Sequence, residues 1–324
     1  MKVAVLRGGR SSEHEVSLRS GAAVGDGLRQ AGHDVVDVVI AREGAWSRDG
    51  EPVTIEPAAG LLGCDAAFPV LHGPGGEDGS VQGALEVADI PYVGSDVEAS
   101  AVCLDKLAFK RVLASHGLPQ VGFFDAAPAG GPAAWRDSAA DLGLPLWVKP
   151  ARLGSSVGIS KVDSLDGLES AVEQARRHDP KIIVEASGPG AEVECSLLGH
   201  SEPIASVPGE IVANADWYDY EAKYEAGGME LRVPAAIGAA ASERVRGLAL
   251  EVFALCGCSG LGRCDFFVDG ESVLVNELNT IPGFTETSVY AKLLEAGGIA
   301  YPELCNRLVG FAIDKHADAR SYEF

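Results

Sequence analysis

Lys2-Val3-Ala4-Val5-Leu6-Arg7-Gly8-Gly9 and, after an intervening stretch, Val35-Val36-Asp37-Val38-Val39-Ile40 decide the class of the N-terminal fold. The first apolar run stops at two glycines. Ser17 to Gln30 then carries Leu18, Ala22 and Leu28 before a stop at Gly32, and the second apolar run follows. Strand, glycine turn, helix and strand within about 40 residues make a βαβ unit, which implies a parallel sheet and an α/β domain. Asp65 to Leu71 reads as a further strand and Ser80 to Val87 as a helix, with a boundary near Gly94-Ser95.

Beyond that boundary the pattern changes. Ala101, Leu104, Ala108 and Val112 recur at helical spacing and predict one helix from Glu98 to His116, with Lys106 and Lys110 on one face. A helix near Ala133 to Asp141, a strand Leu146 to Lys149, an amphipathic stretch Leu165 to His178 and a strand Lys181 to Glu185 follow, and Ser187-Gly188-Pro189-Gly190 reads as a hinge. Glu192 to Leu198 alternates strictly, as an antiparallel strand with one wet face does. Three domains are expected, 1–95, 96–184 and 185–324, the first of them α/β.

Composition narrows the function. The 324 residues are 47% hydrophobic, and 26 Lys plus Arg stand against 47 Asp plus Glu, a formal charge of −21 that repels nucleic acid and anionic lipid. No run reaches the roughly 18 apolar residues of a membrane span, and Arg7 interrupts the opening run too early for a signal peptide. A cytoplasmic protein, with no nucleic-acid or membrane partner, is expected. Seven scattered cysteines suit a reduced compartment, and Cys256, Cys258 and Cys264 read as buried small hydrophobes because their spacing matches no zinc ribbon.

Neither Gly-x-Gly-x-x-Gly after the first strand nor Gly-x-x-x-x-Gly-Lys-Ser/Thr anywhere is present. Glu13 and Glu15 flank a helix start instead. They repel a pyrophosphate and suit an ammonium group, and they serve equally to complement the helix dipole; both readings stand on these residues alone. Lys149 ends an apolar strand and Gly154-Ser155-Ser156-Val157-Gly158 follows, a set of small residues whose N–H groups can close over phosphates beside a buried cation. Asn214 to Gly228 is aromatic and without periodicity and holds Lys223, so it reads as a lid or as an exposed loop.

A hairpin carries more. Gly262 to Val268 and Val273 to Glu277 are strands turning at Asp269-Gly270-Glu271. Period two sets Arg263 and Asp265 on one face and Glu277 and Asn279 on one face of the partner, opposite each other to within about a residue. Asp265, Glu277 and Asn279 offer oxygen only, which indicates a hard cation such as Mg²⁺ with positions left for substrate phosphates. A solvated acidic strand end is the alternative, and the apolar neighbours Phe266, Phe267, Val273, Leu274 and Val275 weigh against it.

Taken in order, the motifs resemble one family. Val5 to Leu18, His72 to Gly79 with Gln82-Gly83, Asp105-Lys106, Val148-Lys149-Pro150, Gly154 to Gly158, Tyr218 to Tyr224, and Asn276-Glu277-Leu278-Asn279-Thr280 with Pro282-Gly283-Phe284-Thr285 look like the D-alanine:D-alanine ligases of the ATP-grasp superfamily. The resemblance implies an α/β parallel-sheet domain followed by a two-lobed ATP-grasp fold whose lobes are α+β. It implies ATP and D-alanine as substrates, with adenine at Glu185, ribose at Glu192, and phosphates at Lys106, Lys149, Ser156 and Lys223. Two Mg²⁺ ions, or Mn²⁺ as a substitute, would sit on Asp265, Glu277 and Asn279.

The same resemblance assigns Glu15 to the ammonium of the first D-alanine, with Ser155 and Tyr224 in its hydrogen-bonded network. Arg263 and the Gly283 N–H would form the oxyanion site, Ser288 would capture the second carboxylate, and His72 would shape the pocket. The first carboxylate would attack the γ-phosphate to give an acyl phosphate, and the second amine would displace phosphate, making D-alanyl-D-alanine for peptidoglycan precursors. A homodimer is implied. D-lactate or D-serine as second substrate is the nearest rival, against which Tyr224 speaks. A nucleotide-binding scaffold would be expected to lack a lysine or a metal ligand, and a dehydrogenase to carry the absent glycine fingerprint.

Overall fold

The computed structural model describes residues 1–127, 130–213 and 229–322. In the first domain β1 (Lys2–Gly8), α1 (His14–Gln30) and β2 (Asp34–Ile40) form the expected crossover unit. Val3 to Leu6 are fully buried, as a strand covered on both faces requires. With β3 (Trp46–Arg48), β4 (Glu51–Pro52) and β5 (Ala66–Pro69) the sheet has the order β4-β3-β2-β1-β5. β1 pairs in parallel with β2 and β5, whereas β3 and β4 add an antiparallel edge that the sequence pattern did not announce. α1 packs on one face through Val24 and Leu28, and α2 (Ser80–Ala88) on the other through Val81 and Leu85.

The single helix expected from Glu98 to His116 is two, α3 (Val97–Leu104) and α4 (Lys106–Ser115). Asp105 between them is extended (φ −80°, ψ 96°), and its carboxylate accepts hydrogen bonds from the N–H groups of Leu107 and Ala108. An aspartate that caps a new first turn ends the old helix, and Lys106 thereby becomes the first residue of α4.

The central lobe comprises β6 (Phe123–Asp125), α5 (Gly131–Leu142), β7 (Leu146–Pro150), β8 (Ser160–Val162), α6 (Leu168–Arg176) and β9 (Ile182–Ala186). Its sheet, β6-β9-β7-β8, is antiparallel throughout and packs one face on α5 and α6. The last lobe contains β10 (Ala191–Gly199), β11 (Ile204–Ala205), β12 (Gly209–Ala213), β13 (Met229–Arg232), α7 (Ala239–Leu255), β14 (Gly260–Asp269) and β15 (Ser272–Asn279), in the antiparallel order β13-β12-β10-β14-β15 with β11 on β10. α3, α4 and α7 share its core.

β10 keeps a wet face only at its start. Glu192 is exposed and Glu194 only partly so, whereas Ser196 is buried and donates from Oγ to the Tyr290 carbonyl at 3.1 Å, because α8 (Val289–Ala296) covers that end. α9 (Tyr301–Ala319) then returns to the first domain. Leu304, Leu308 and Val309 share one core with Val3, Val5, Val24 and Phe68.

Candidate active site

The two antiparallel sheets and, from the first domain, the start of α1 and the segment after β5 line a cleft of about 990 Å³. On its floor β14 and β15 pair Arg263 with Asn279 and Asp265 with Glu277, each pair directly opposite and all four on one face. β10 extends the rows: Glu194 lies opposite Asp265, and Ser196 opposite Arg263. Glu194, Asp265 and Glu277 thus form one acidic row across three strands. Arg263 leans into it, with Nε 2.8 Å from Asp265 Oδ1, Nη2 2.8 Å from Oδ2, and Nε 2.9 Å from Glu194 Oε2. Burial works against the guanidinium charge, but Asp265 and Glu194 outweigh it and raise the Arg263 pKa well above its ordinary value.

Among the described residues no three His, Cys, Asp or Glu side chains converge as a complete metal set. The donors are two carboxylates and the Asn279 amide, whose Nδ2 donates to Asp265 Oδ2 at 3.1 Å and so turns its oxygen free of that bond. A partial all-oxygen set of this kind fits Mg²⁺, which keeps several positions for water and phosphate oxygen.

Above the floor stands a buried trio of charges. Glu185 Oε2 is 2.6 Å from Lys149 Nζ and Oε1 is 3.3 Å from Lys110 Nζ. Burial alone would raise the carboxyl pKa; the two lysines reverse that and lower it. Lys149 is driven up against its own desolvation by Glu185, while Lys110, more desolvated than compensated, is driven down. Lys149 therefore faces the cleft as a fixed positive charge. Lys106 joins it, donating to the Leu153 carbonyl at 2.9 Å with Glu277 Oε2 at 3.6 Å. Beyond Glu185, the hinge lies flat on Phe267, where a Cβ at Gly188 would fall 2.1 Å from the ring, and Trp147 Nε1 donates to Ser187 Oγ at 2.9 Å.

The N-terminal domain supplies the opposite wall. Ser155 Oγ, on a turn where Ser155 and Ser156 both have positive φ, donates to Glu13 Oε1. A Cβ on Gly73 would lie 2.7 Å from Glu13 Oε2, so only glycine admits the carboxylate there. His72 is neutral. Its burial lowers the pKa, Nδ1–H donates to the Ile281 carbonyl at 2.9 Å, and Nε2 accepts from Ser20 Oγ at 3.1 Å. Glu77 holds the other backbone group of the same residue, accepting from the Ile281 N–H at 3.3 Å, and also accepts from the Gly73 N–H at 2.7 Å. Burial, then Glu13, pushes its pKa up to about 8.

Glu15 does not reach this wall. Its side chain is 66% exposed and pairs with Arg42 at 2.9 Å outside the cleft, whereas Glu13 is 7% exposed and lines it. The carboxylate expected of Glu15 is thus supplied by Glu13, since residues two apart at a helix start point to different sides. Lys106, Lys149, Ser155, Ser156, Glu185 and Glu192 line the cleft, as do Arg263, Asp265, Glu277, Asn279, Gly283 and Ser288. Ser288 immediately precedes α8, with Oγ donating to the Thr285 carbonyl at 2.8 Å. Lys223 and Tyr224 lie outside the described residues. Sequence reasoning gave no role to Glu13 over Glu15, to Lys110 or to Glu194; the helical spacing of Lys106 and Lys110 and the alternation of β10 were the available signals.

The model of the D-ala D-ala ligase C-terminus matches residues 112–310, and that of the D-ala D-ala ligase N-terminus matches 2–62 and 49–95. The chain belongs to the D-alanine–D-alanine ligase family. A family member from Deinococcus radiodurans is 46% identical over 335 residues, covering 97% of this chain and 99% of the relative. D-alanine–D-alanine ligase A of Escherichia coli K12 is 39% identical over 98% of this chain and 97% of its own. Among solved structures of the family, the D-alanine-D-alanine ligase from Coxiella burnetii superimposes with a TM-score of 0.90 at 33% identity, covering 99% of this chain and 96% of that one. The VanG D-Ala:D-Ser ligase from Enterococcus faecalis does so at 0.87 and 34%, covering 96% and 99%. With these relatives the ATP-grasp expectation for the fold holds.

Proposed function

We propose that this chain joins two D-alanines at the expense of ATP, through an acyl phosphate, to supply D-alanyl-D-alanine for peptidoglycan precursors. The observation that carries the reading is the cleft itself: Asp265, Glu277 and Asn279 on one wall with Arg263 beside them, and the Glu13–Ser155 pair on the other. Mg²⁺, in the two-ion complement the family resemblance implies, would be held by Asp265, Glu277 and Asn279 and would neutralise charge on the transferred phosphoryl group.

The chain's own residues do the rest. Lys106, Lys149 and Lys223 balance the nucleotide phosphates, which the N–H groups of the Ser155-Ser156 turn cover. The hinge from Glu185 to Gly188, backed by Phe267 and Trp147, takes adenine, and Glu192 the ribose. Because Glu185 spends its carboxylate on two lysines, the hinge backbone is what it offers to the base. Glu13 receives the ammonium of the first D-alanine, held in place by Ser155, with Tyr224 completing that network. Arg263 and the Gly283 N–H receive the oxyanion as the second amine attacks, and Ser288 takes the second carboxylate. Domains 1–95, 96–184 and 185–324, a homodimeric state and a cytoplasmic location belong to the same reading. No helix of the described residues is long and apolar enough to cross a membrane.

ADP release with Mg-ATP tests it, using D-alanine, L-alanine, D-alanine with D-lactate or D-serine, and no amino acid, with the product identified by mass. One ADP per D-alanyl-D-alanine is expected. Turnover only with a second partner would move the specificity, and none with any of them would overturn the reading.

A further inference from the structure

We propose that Glu194 is a positioning residue that takes over Arg263 when a divalent cation occupies Asp265. The proposal rests on the reading above that Asp265, Glu277 and Asn279 hold the cation. It starts from a conflict in the site. Both oxygens of Asp265 are engaged by donors, Oδ1 by Arg263 Nε at 2.8 Å and Oδ2 by Arg263 Nη2 at 2.8 Å and Asn279 Nδ2 at 3.1 Å. Three N–H donors occupy three of the roughly four lone-pair sites of the carboxylate, and a cation at the one left on Oδ1 would sit beside the guanidinium, whose positive charge repels it at that range.

Arg263 must therefore give way without leaving, because its proposed work at the oxyanion keeps it within the cleft. Glu194 is already in reach. It stands opposite Asp265 in the acidic row, its Oε2 2.9 Å from Arg263 Nε, and both side chains are largely buried, at 14% and 20% exposure. The neighbour in the guanidinium's own row, Ser196, is neutral and offers no charge to balance it. Three carboxylates on adjacent strands thus share two positive charges in turn. Without the cation, Arg263 balances Asp265 and Glu194 together; with it, Asp265 and Glu277 turn to the cation and Glu194 keeps the guanidinium, so no buried charge is left alone.

Mn²⁺ binding in the presence of ADP, counted by electron paramagnetic resonance of the free ion, separates this exchange from a simple field effect. Glu194→Gln should weaken Mn²⁺ binding by about tenfold, the scale of losses on removing an outer-shell partner. Arg263→Gln should tighten it, by freeing Asp265. In the double variant, Glu194→Gln should then change binding by less than about twofold, because its effect runs through Arg263. Additive effects in the double variant, or unchanged binding in Glu194→Gln, would overturn the proposal. Glu194→Asp, which keeps the charge but withdraws it from Arg263, should fall between wild type and Glu194→Gln and serves if the amide variant folds poorly. Glu277→Gln is the control. If it leaves Mn²⁺ binding intact, or wild type binds none, the cation site itself is wrong and the exchange falls with it; if it weakens binding while Glu194→Gln does not, only the exchange fails.

Discussion

Asp265 and Glu277 face each other across β14 and β15 because the ladder slips by one residue between Asp265 and Phe266. Followed up from the turn, the pairs Val268–Val273, Phe267–Leu274 and Phe266–Val275 would bring Asp265 opposite Asn276 and send Glu277 to the other face. The extra residue at the bulge restores the parity that puts both carboxylates in the cleft. Glu277→Gln removes one charge from that pair and should lower turnover at saturating Mg²⁺ by at least about a hundredfold, or roughly 3 kcal/mol of barrier. Wild-type turnover across a Mg²⁺ titration would take Glu277 out of the ligand set.

Glu13 and Glu15 should part company under mutation. Glu13→Gln removes the partner of Ser155 in the cleft and should raise the KM for D-alanine and lower kcat/KM by about a hundredfold or more. Glu15→Gln removes an exposed pair with Arg42 and should stay within about twofold of wild type. Steady-state kinetics in D-alanine decide between them, and the opposite ranking would return the role to Glu15.

Glu185 forms a direct ion pair with both Lys110 and Lys149. Glu185→Gln leaves two buried ammonium groups facing each other and should cost about 3–5 kcal/mol of stability, read as a lower denaturant midpoint. Adding Lys110→Met should recover part of that loss. A midpoint unchanged in the single variant would mean the trio contributes nothing to folding.

Glu77 makes stability fall with rising pH. Its pKa in the fold is pushed up to about 8 from 4.5, so between those values the folded chain holds a proton that the unfolded chain has lost. The contribution is full below pH 4.5 and is lost as pH rises through about 8. Glu77→Gln should flatten this part of the stability profile between pH 5 and 9, measured by chemical denaturation. An identical slope in the variant would show that Glu77 is ionised throughout.

The acidic hairpin could be read in the sequence because its signal is local: two strands, one turn, and side chains at period two. Even there, whether Glu277 faced Asp265 depended on a bulge that composition does not mark. Glu13 was passed over for Glu15 since both sit at the same helix start, and only the distant Gly73 and Gly154 backbones decide which has room to turn inward. The partners of Lys110 and Glu194 are not legible in the sequence for a related reason. Each acts on a residue far along the chain, Glu185 on β9 and Arg263 on β14, and such pairs exist only once the strands are ordered. Asp105 was the reverse case, a plain capping residue inside a pattern whose apolar periodicity concealed the break.

α9 completes the core that β1 begins, with Leu304, Leu308 and Val309 packed against Val3, Val5 and Phe68. During synthesis the first sheet leaves the ribosome with one apolar face partly open, and it stays so until the last helix has been made. The first sheet is therefore finished long after its own strands are made, and a nascent chain stalled before residue 301 would present that face to chaperones.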